Sequence, residues 1–181
     1  ASTNPFDLSS EDTEPRDIAF NSDGTRMFIV GSANDKVFQY DLSSPFDITT
    51  AQYNSESLDV SGQESTPQGI TFDNTGSKMY MVGIDKDSVY QYDLATEFDV
   101  TTASINDTLD VSNEELTPSS IIFNNDGTKM YVIGFSGNNV NQYNLSSAYN
   151  LSTATFSSSF DLSNEDTSPR GITFSSDGKR M

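Results

Sequence analysis

Four polar residues stand one place after a proline. Arg16, Gln68, Ser119 and Arg170 follow Pro15, Pro67, Pro118 and Pro169, so two guanidiniums, a carboxamide and a hydroxyl occupy equivalent positions. Such groups can line a binding funnel or, equally, be solvated loop residues. Just ahead of them lies acid: Glu11, Asp12 and Glu14, then Glu64, then Glu114 and Glu115, then Glu165 and Asp166. A ring drawn from Glu14, Glu64, Glu115 and Glu165 has the chemistry to hold Ca²⁺ or attract a cationic ligand. Their spacing does not follow the D-x-D-x-D-G pattern of a metal loop, and an acidic solvated coat accounts for the same residues. The expectation is therefore no cofactor and no metal, with Ca²⁺ the one ion the acids would suit. A third group varies where the rest repeats: Ser32–Lys36, Ile84–Ser88 and Phe135–Asn139. Asp35, Lys36, Ile84, Asp85, Phe135 and Asn138 are the candidates for contacting an asymmetric partner, although relaxed constraint at loop tips gives the same variation.

Composition removes much other chemistry. The 181 residues contain neither Cys nor His, which excludes disulfides, the usual zinc sites, Cys nucleophiles and imidazole proton shuttles. Any catalysis would rest on carboxylates, Lys, Arg or Tyr. Nine basic against 27 acidic residues give a net charge of -18, which repels nucleic acid and anionic lipid alike. No apolar run approaches a bilayer span, so membrane insertion is not expected, and Ala1–Ser10 does not resemble a signal peptide. With 34% hydrophobic and 11% aromatic residues, a packed core is expected.

What must position these groups is a repeat. The prolines and the glycines Gly24, Gly76, Gly127 and Gly178 both step by 52, 51 and 51. Gln39-Tyr40, Gln91-Tyr92 and Gln142-Tyr143 keep the same steps, as do Phe6, Leu58, Leu109 and Phe160, each followed by Asp. In the second copy, Gly69–Phe72 and Lys78–Val82 alternate as strands around a turn whose glycine supplies the positive φ of a hairpin. Val89–Tyr92 reads as a third strand and Ala103–Val111 as a fourth, and no helix signal occurs.

A four-stranded antiparallel unit of about 51 residues cannot bury both faces alone, so copies must stack, and radial stacking gives an all-β propeller. The expected blades are 11–62, 63–113 and 114–164, with 165–181 beginning a fourth and 1–10 ending the outer strand of a preceding one. About three and a half blades fall short of closure, so a fragment of a longer tandem chain is expected, with strand-swapped assembly of two subunits as the alternative. Phe20, Phe72, Phe123 and Phe174, with Tyr40, Tyr92 and Tyr143, are assigned to the core between blades. Asn106, Asn144 and Asn150 head glycosylation sequons of a kind that chance supplies in an Asn- and Ser-rich chain.

The stretch Thr66–Val82, with its Pro, Gly, apolar strand, Gly hairpin and Lys-aromatic strand, resembles the YVTN-type blade, also found in lactonase-like propellers. Ser168–Met181 resembles it more closely still. The unit here is longer, with Phe98–Ala103 inserted before the outer strand. The resemblance implies the propeller fold, and an enzymatic branch would imply a lactonase-like hydrolase using funnel carboxylates and Arg16 or Arg170. Near-identical blades offer no unique acid, base and stabiliser, so the first expectation is a non-enzymatic binding or scaffold propeller that recognises a protein or glycan through its loop face. The Asn, Ser, Thr and Asp content suits an extracellular or cell-surface setting.

Overall fold

The computed structural model describes residues 6–181, and these form three four-stranded antiparallel sheets. The first comprises β1 (Pro15–Phe20), β2 (Arg26–Gly31), β3 (Lys36–Leu42) and β4 (Ala51–Asp59). The second comprises β5 (Pro67–Phe72), β6 (Lys78–Gly83), β7 (Ser88–Leu94) and β8 (Ala103–Asp110). The third comprises β9 (Pro118–Phe123), β10 (Lys129–Gly134), β11 (Asn139–Leu145) and β12 (Ala154–Asp161). Spatial order equals chain order in each, so every sheet is a meander. The first strands β1, β5 and β9 lie side by side, as expected of strands nearest a propeller axis. Among the described residues no helix is long and apolar enough to cross a membrane.

Turn chemistry sets the first hairpin of each sheet. Gly24 takes φ +72° and donates to the Asn21 carbonyl at 3.1 Å, while the Asn21 side chain accepts from the Arg26 N–H at 2.9 Å. The same turn recurs at Gly76 and Gly127. Phe46, Phe98 and Tyr149 sit with positive φ and lay their rings where a Cβ on these glycines would be. The glycine is thus needed twice, for its backbone conformation and for the space it leaves.

Period-two alternation then stacks the sheets. On β2, Met27 and Ile29 join Phe38, Tyr40 and Leu42 on one face, while Phe28 and Val30 turn to the other and meet Met79 and Met81 of β6. Tyr80 and Val82, the alternate residues of β6, pack with Met130 and Val132 of β10. Each joint carries an aromatic cluster: Phe28 lies 4.5 Å from Phe72, which lies 5.4 Å from Phe98, and Tyr80, Phe123 and Tyr149 repeat this at 4.5 and 5.3 Å. The recurring phenylalanines and tyrosines are core, because each sheet has two faces to bury.

The inserted segment turns out to be a latch between sheets. Its residues form one-turn 3-10 helices, Ile48–Thr50, Val100–Thr102 and Leu151–Thr153, capped by Asp47, Asp99 and Asn150. Gln39 on β3 accepts from the Val100 N–H at 3.0 Å, and Gln91 on β7 accepts from the Leu151 N–H at 2.9 Å. Both glutamines are buried, and so are Val100 and Leu151. The step of 52 rather than 51 is taken up between Tyr53 and Ser57 on β4, where the register shifts and Ser55 adopts φ +66°.

At the ends, the expected outer strand over 1–10 lies partly outside the described residues. Its remainder makes a turn instead, with Phe6 edge-on to Tyr40 at 5.4 Å and the Leu8 carbonyl accepting from Glu11 and Asp12. Pro169–Phe174 has a first-strand sequence but carries no ladder. It lies against the third sheet through Phe174, 4.8 Å from Tyr131, and through the Arg170 carbonyl, which accepts from Ser119 at 2.9 Å.

Candidate functional site

The loop leading into each first strand and the loop joining the second and third strands share one face, and a buried carboxylate ties them together. Asp12 accepts from the N–H groups of Glu14 at 2.7 Å and Asn34 at 3.0 Å, with Ala33 at 3.3 Å. Glu64 accepts from Thr66 at 3.0 Å, Asp85 at 2.9 Å and Lys86 at 3.2 Å. Glu115 accepts from Thr117 at 2.9 Å, Ser136 at 3.1 Å and Gly137 at 3.0 Å. These three acids are at most 2% exposed. Gly31, Gly83 and Gly134 leave the room they occupy. A buried carboxylate is tolerable when several N–H groups satisfy it, and each of these has them.

The expected ring of Glu14, Glu64, Glu115 and Glu165 takes a different form. Asp12 and Asp166 are the repeat equivalents of Glu64 and Glu115, whereas Glu14 is exposed and pairs with Arg16 at 2.7 Å. Glu165 is exposed as well. Asp166 accepts from the Ser168 N–H at 2.8 Å. Among the described residues no three acidic side chains converge in a metal-holding group. The oxygens of Glu64 and Glu115 are spent on backbone donors.

The residues after the prolines occupy β-bulges at the starts of the first strands, because the pairing to the second strand skips Arg16, Gln68 and Ser119. They nevertheless divide into two kinds. Arg16 is exposed, donating to Ser32 at 2.7 Å beside its pair with Glu14, and Arg170 is exposed with its guanidinium 4.7 Å above the Phe135 ring. Gln68 and Ser119 are 7% and 8% exposed. Gln68 reaches the Thr66 carbonyl at 3.4 Å, and Ser119 bonds the Ile133 and Arg170 carbonyls.

The tips differ in chemistry above the shared frame. Asp35, Lys36, Ile84, Phe135 and Asn138 are half-buried, while Asp85 is exposed and pairs with Lys86 at 2.8 Å. Ile84 and Phe135 are therefore not free apolar knobs, Phe135 being partly covered by Arg170. Asp35, Asp87 and Asn138 close the three tips in the left-handed region, at φ +50°, +49° and +52°.

One residue escaped the sequence reading. Asp17 is the sole acid on the first strands, its equivalents being Gly69, Ser120 and Gly171. It accepts from Ile70 of the next sheet at 3.0 Å and from the Ile18 N–H at 2.8 Å. Burial pushes its carboxyl above the ordinary aspartate range, against the opposing pull of those two N–H groups. The signal was a carboxylate at a position where the other copies carry glycine or serine.

No protein-family model and no curated relative matches the sequence. Solved structures do match. A periplasmic gluconolactonase from Pseudomonas aeruginosa aligns with a TM-score of 0.62 and 18% identity over 91% of this chain and 45% of that one. A candidate 6-phosphogluconolactonase from Bacteroides fragilis aligns at 0.64 and 16% over 91% and 46%. Kuenenia stuttgartiensis hydrazine synthase aligns at 0.64 and 21% over 91% and 40%. The chain spans less than half of each. At these identities the likeness is one of fold, and it gives the three stacked sheets their place as blades of a β-propeller of the kind seen in lactonase-like proteins.

Proposed function

We propose that this chain supplies a ligand-recognition face of a β-propeller and that a protein or glycan is what it binds. The observation that carries the reading is the repeated frame: the same buried carboxylate ties two backbone N–H groups of each β2–β3-type tip to one of the lead-in loop, while the tip residues differ from blade to blade. Tips held in place before binding lose little conformational entropy on contact, which favours affinity. The charge of -18 selects a neutral polyol or a cationic surface over an anionic one. A secreted or surface-displayed setting suits such a role. The test is a glycan array and titration calorimetry on its hits, run with the natural protein and with a variant in which Ile84–Ser88 is exchanged for Phe135–Asn139. Altered selectivity without a fall in melting temperature supports the reading, and identical profiles refute it.

Asp17 favours a second reading, a lactonase-like hydrolase. A carboxyl raised by burial can serve as a general base near neutral pH, and Arg16 stands beside it in sequence. Hydrolysis of glucono-1,5-lactone, followed by proton release, separates the two readings. A rate above buffer that Asp17→Asn abolishes would establish the enzyme; the recognition reading expects no such rate.

A further inference from the structure

The three loop tips close on residues of one shape and two chemistries. Oriented to suit its neighbours, with the amide nitrogen toward the acceptors, Asn138 donates to the Thr167 carbonyl at 2.7 Å and to the Phe135 carbonyl at 3.3 Å. The repeat puts Asp87 and Asp35 at this place in the second and first blades, with Leu116 and Ile84, and Ser65 and Ser32, supplying the equivalent carbonyls. In both, the Oδ1 atom is buried and has no hydrogen-bond partner among the described residues. An ionised carboxylate has no donor to offer a carbonyl, whereas a protonated carboxyl has one and is nearly isosteric with the amide. We propose that Asp35 and Asp87 each hold a proton that bonds the loop carbonyls, so that the first two tips are locked in acid and loosened toward neutrality while Asn138 locks the third at every pH.

The surrounding charges act in the same sense. Burial raises the Asp35 carboxyl, and the facing carboxylates of Asp12 of the lead-in loop and Asp59 at the end of β4 add to that effect. Asp110 at the end of β8, Glu115 of the next lead-in loop and Asp85 of the same tip face Asp87, again with burial foremost. Of the adjacent cations, Lys86 pairs with Asp85 at 2.8 Å, and Lys36 helps to lower the Asp59 carboxyl. A carboxyl raised in the folded state stabilises fully below its unfolded value of 3.8, and that stability is lost as pH climbs through the folded value. The device concerns the unliganded protein and stands whether or not the face binds the partner proposed above.

The test compares the natural protein, the Asp35→Asn/Asp87→Asn double variant and Asn138→Asp by thermal unfolding from pH 3 to 8, with ¹³Cγ titration of the aspartates by NMR. The double variant should melt about 2–4 °C higher than the natural protein at pH 7.5, and the difference should vanish at the acid end. Asn138→Asp should melt lower at pH 7.5 and recover in acid; if it fails to fold, the double variant and the titration still decide. Asp35 and Asp87 should both titrate above the ordinary aspartate value. Ordinary titration with a melting curve unmoved by the double substitution would overturn the proposal. So would a rise in melting temperature with millimolar Ca²⁺ that the double variant lacks, since the open oxygens would then be cation ligands.

Discussion

At the scale of single residues, what matters is whether a buried polar group has a second function or only a structural one. Glu64 and Arg16 are both site candidates by sequence, but their environments assign them opposite weights. Removing the Glu64 carboxylate strands three backbone donors, so Glu64→Ala should cost about 3 kcal/mol in urea unfolding. Arg16→Ala, at an exposed ion pair, should cost less than about 0.5 kcal/mol. The same contrast holds along one repeat position. Gln91→Ala leaves the Leu151 N–H unpaired between two sheets and should cost about 1–3 kcal/mol. Gln142 receives no such N–H among the described residues, so Gln142→Ala should stay within about 0.5 kcal/mol.

At the scale of elements, the first hairpin and the inserted 3-10 turn are one device. The glycine turn makes space, an aromatic from the insert fills it, and the insert's own N–H reaches the preceding sheet's glutamine. Gly76→Ala would both strain a φ of +75° and push on Phe98, and should cost about 2–4 kcal/mol by chemical unfolding. Gly62 has open space around its missing side chain, so Gly62→Ala should change stability by less than about 0.5 kcal/mol. Equal effects at the two positions would contradict the latch.

At the scale of the whole molecule, stability resides in the joints between sheets, because each sheet is two-sided and touches only its neighbours. Phe98 lies in a joint and Phe46, its equivalent in the first blade, is 59% exposed. Phe98→Ala should therefore cost about 2–3 kcal/mol and Phe46→Ala less than about 1 kcal/mol in thermal melts. The likeness to lactonase-like propellers belongs to this scale as well, since it is a likeness of stacked sheets at identities of 16% and 18%.

The sequence by itself determined the repeat, the four-strand meander, the hairpin glycines and the two-faced aromatic core, because turn chemistry and period-two alternation act over a few residues and recur in every copy. The tertiary structure alone decided the roles of the polar groups. Asp12, Glu64 and Glu115 became a frame because folding brings backbone donors some 21 residues away onto their oxygens. Gln39 and Gln91 became latches, and Asp17 a partly desolvated acceptor, because their partners come from the next sheet. A carboxylate's role depends on the donors, charges and water around it, and those come from residues distant in the chain that no local pattern records.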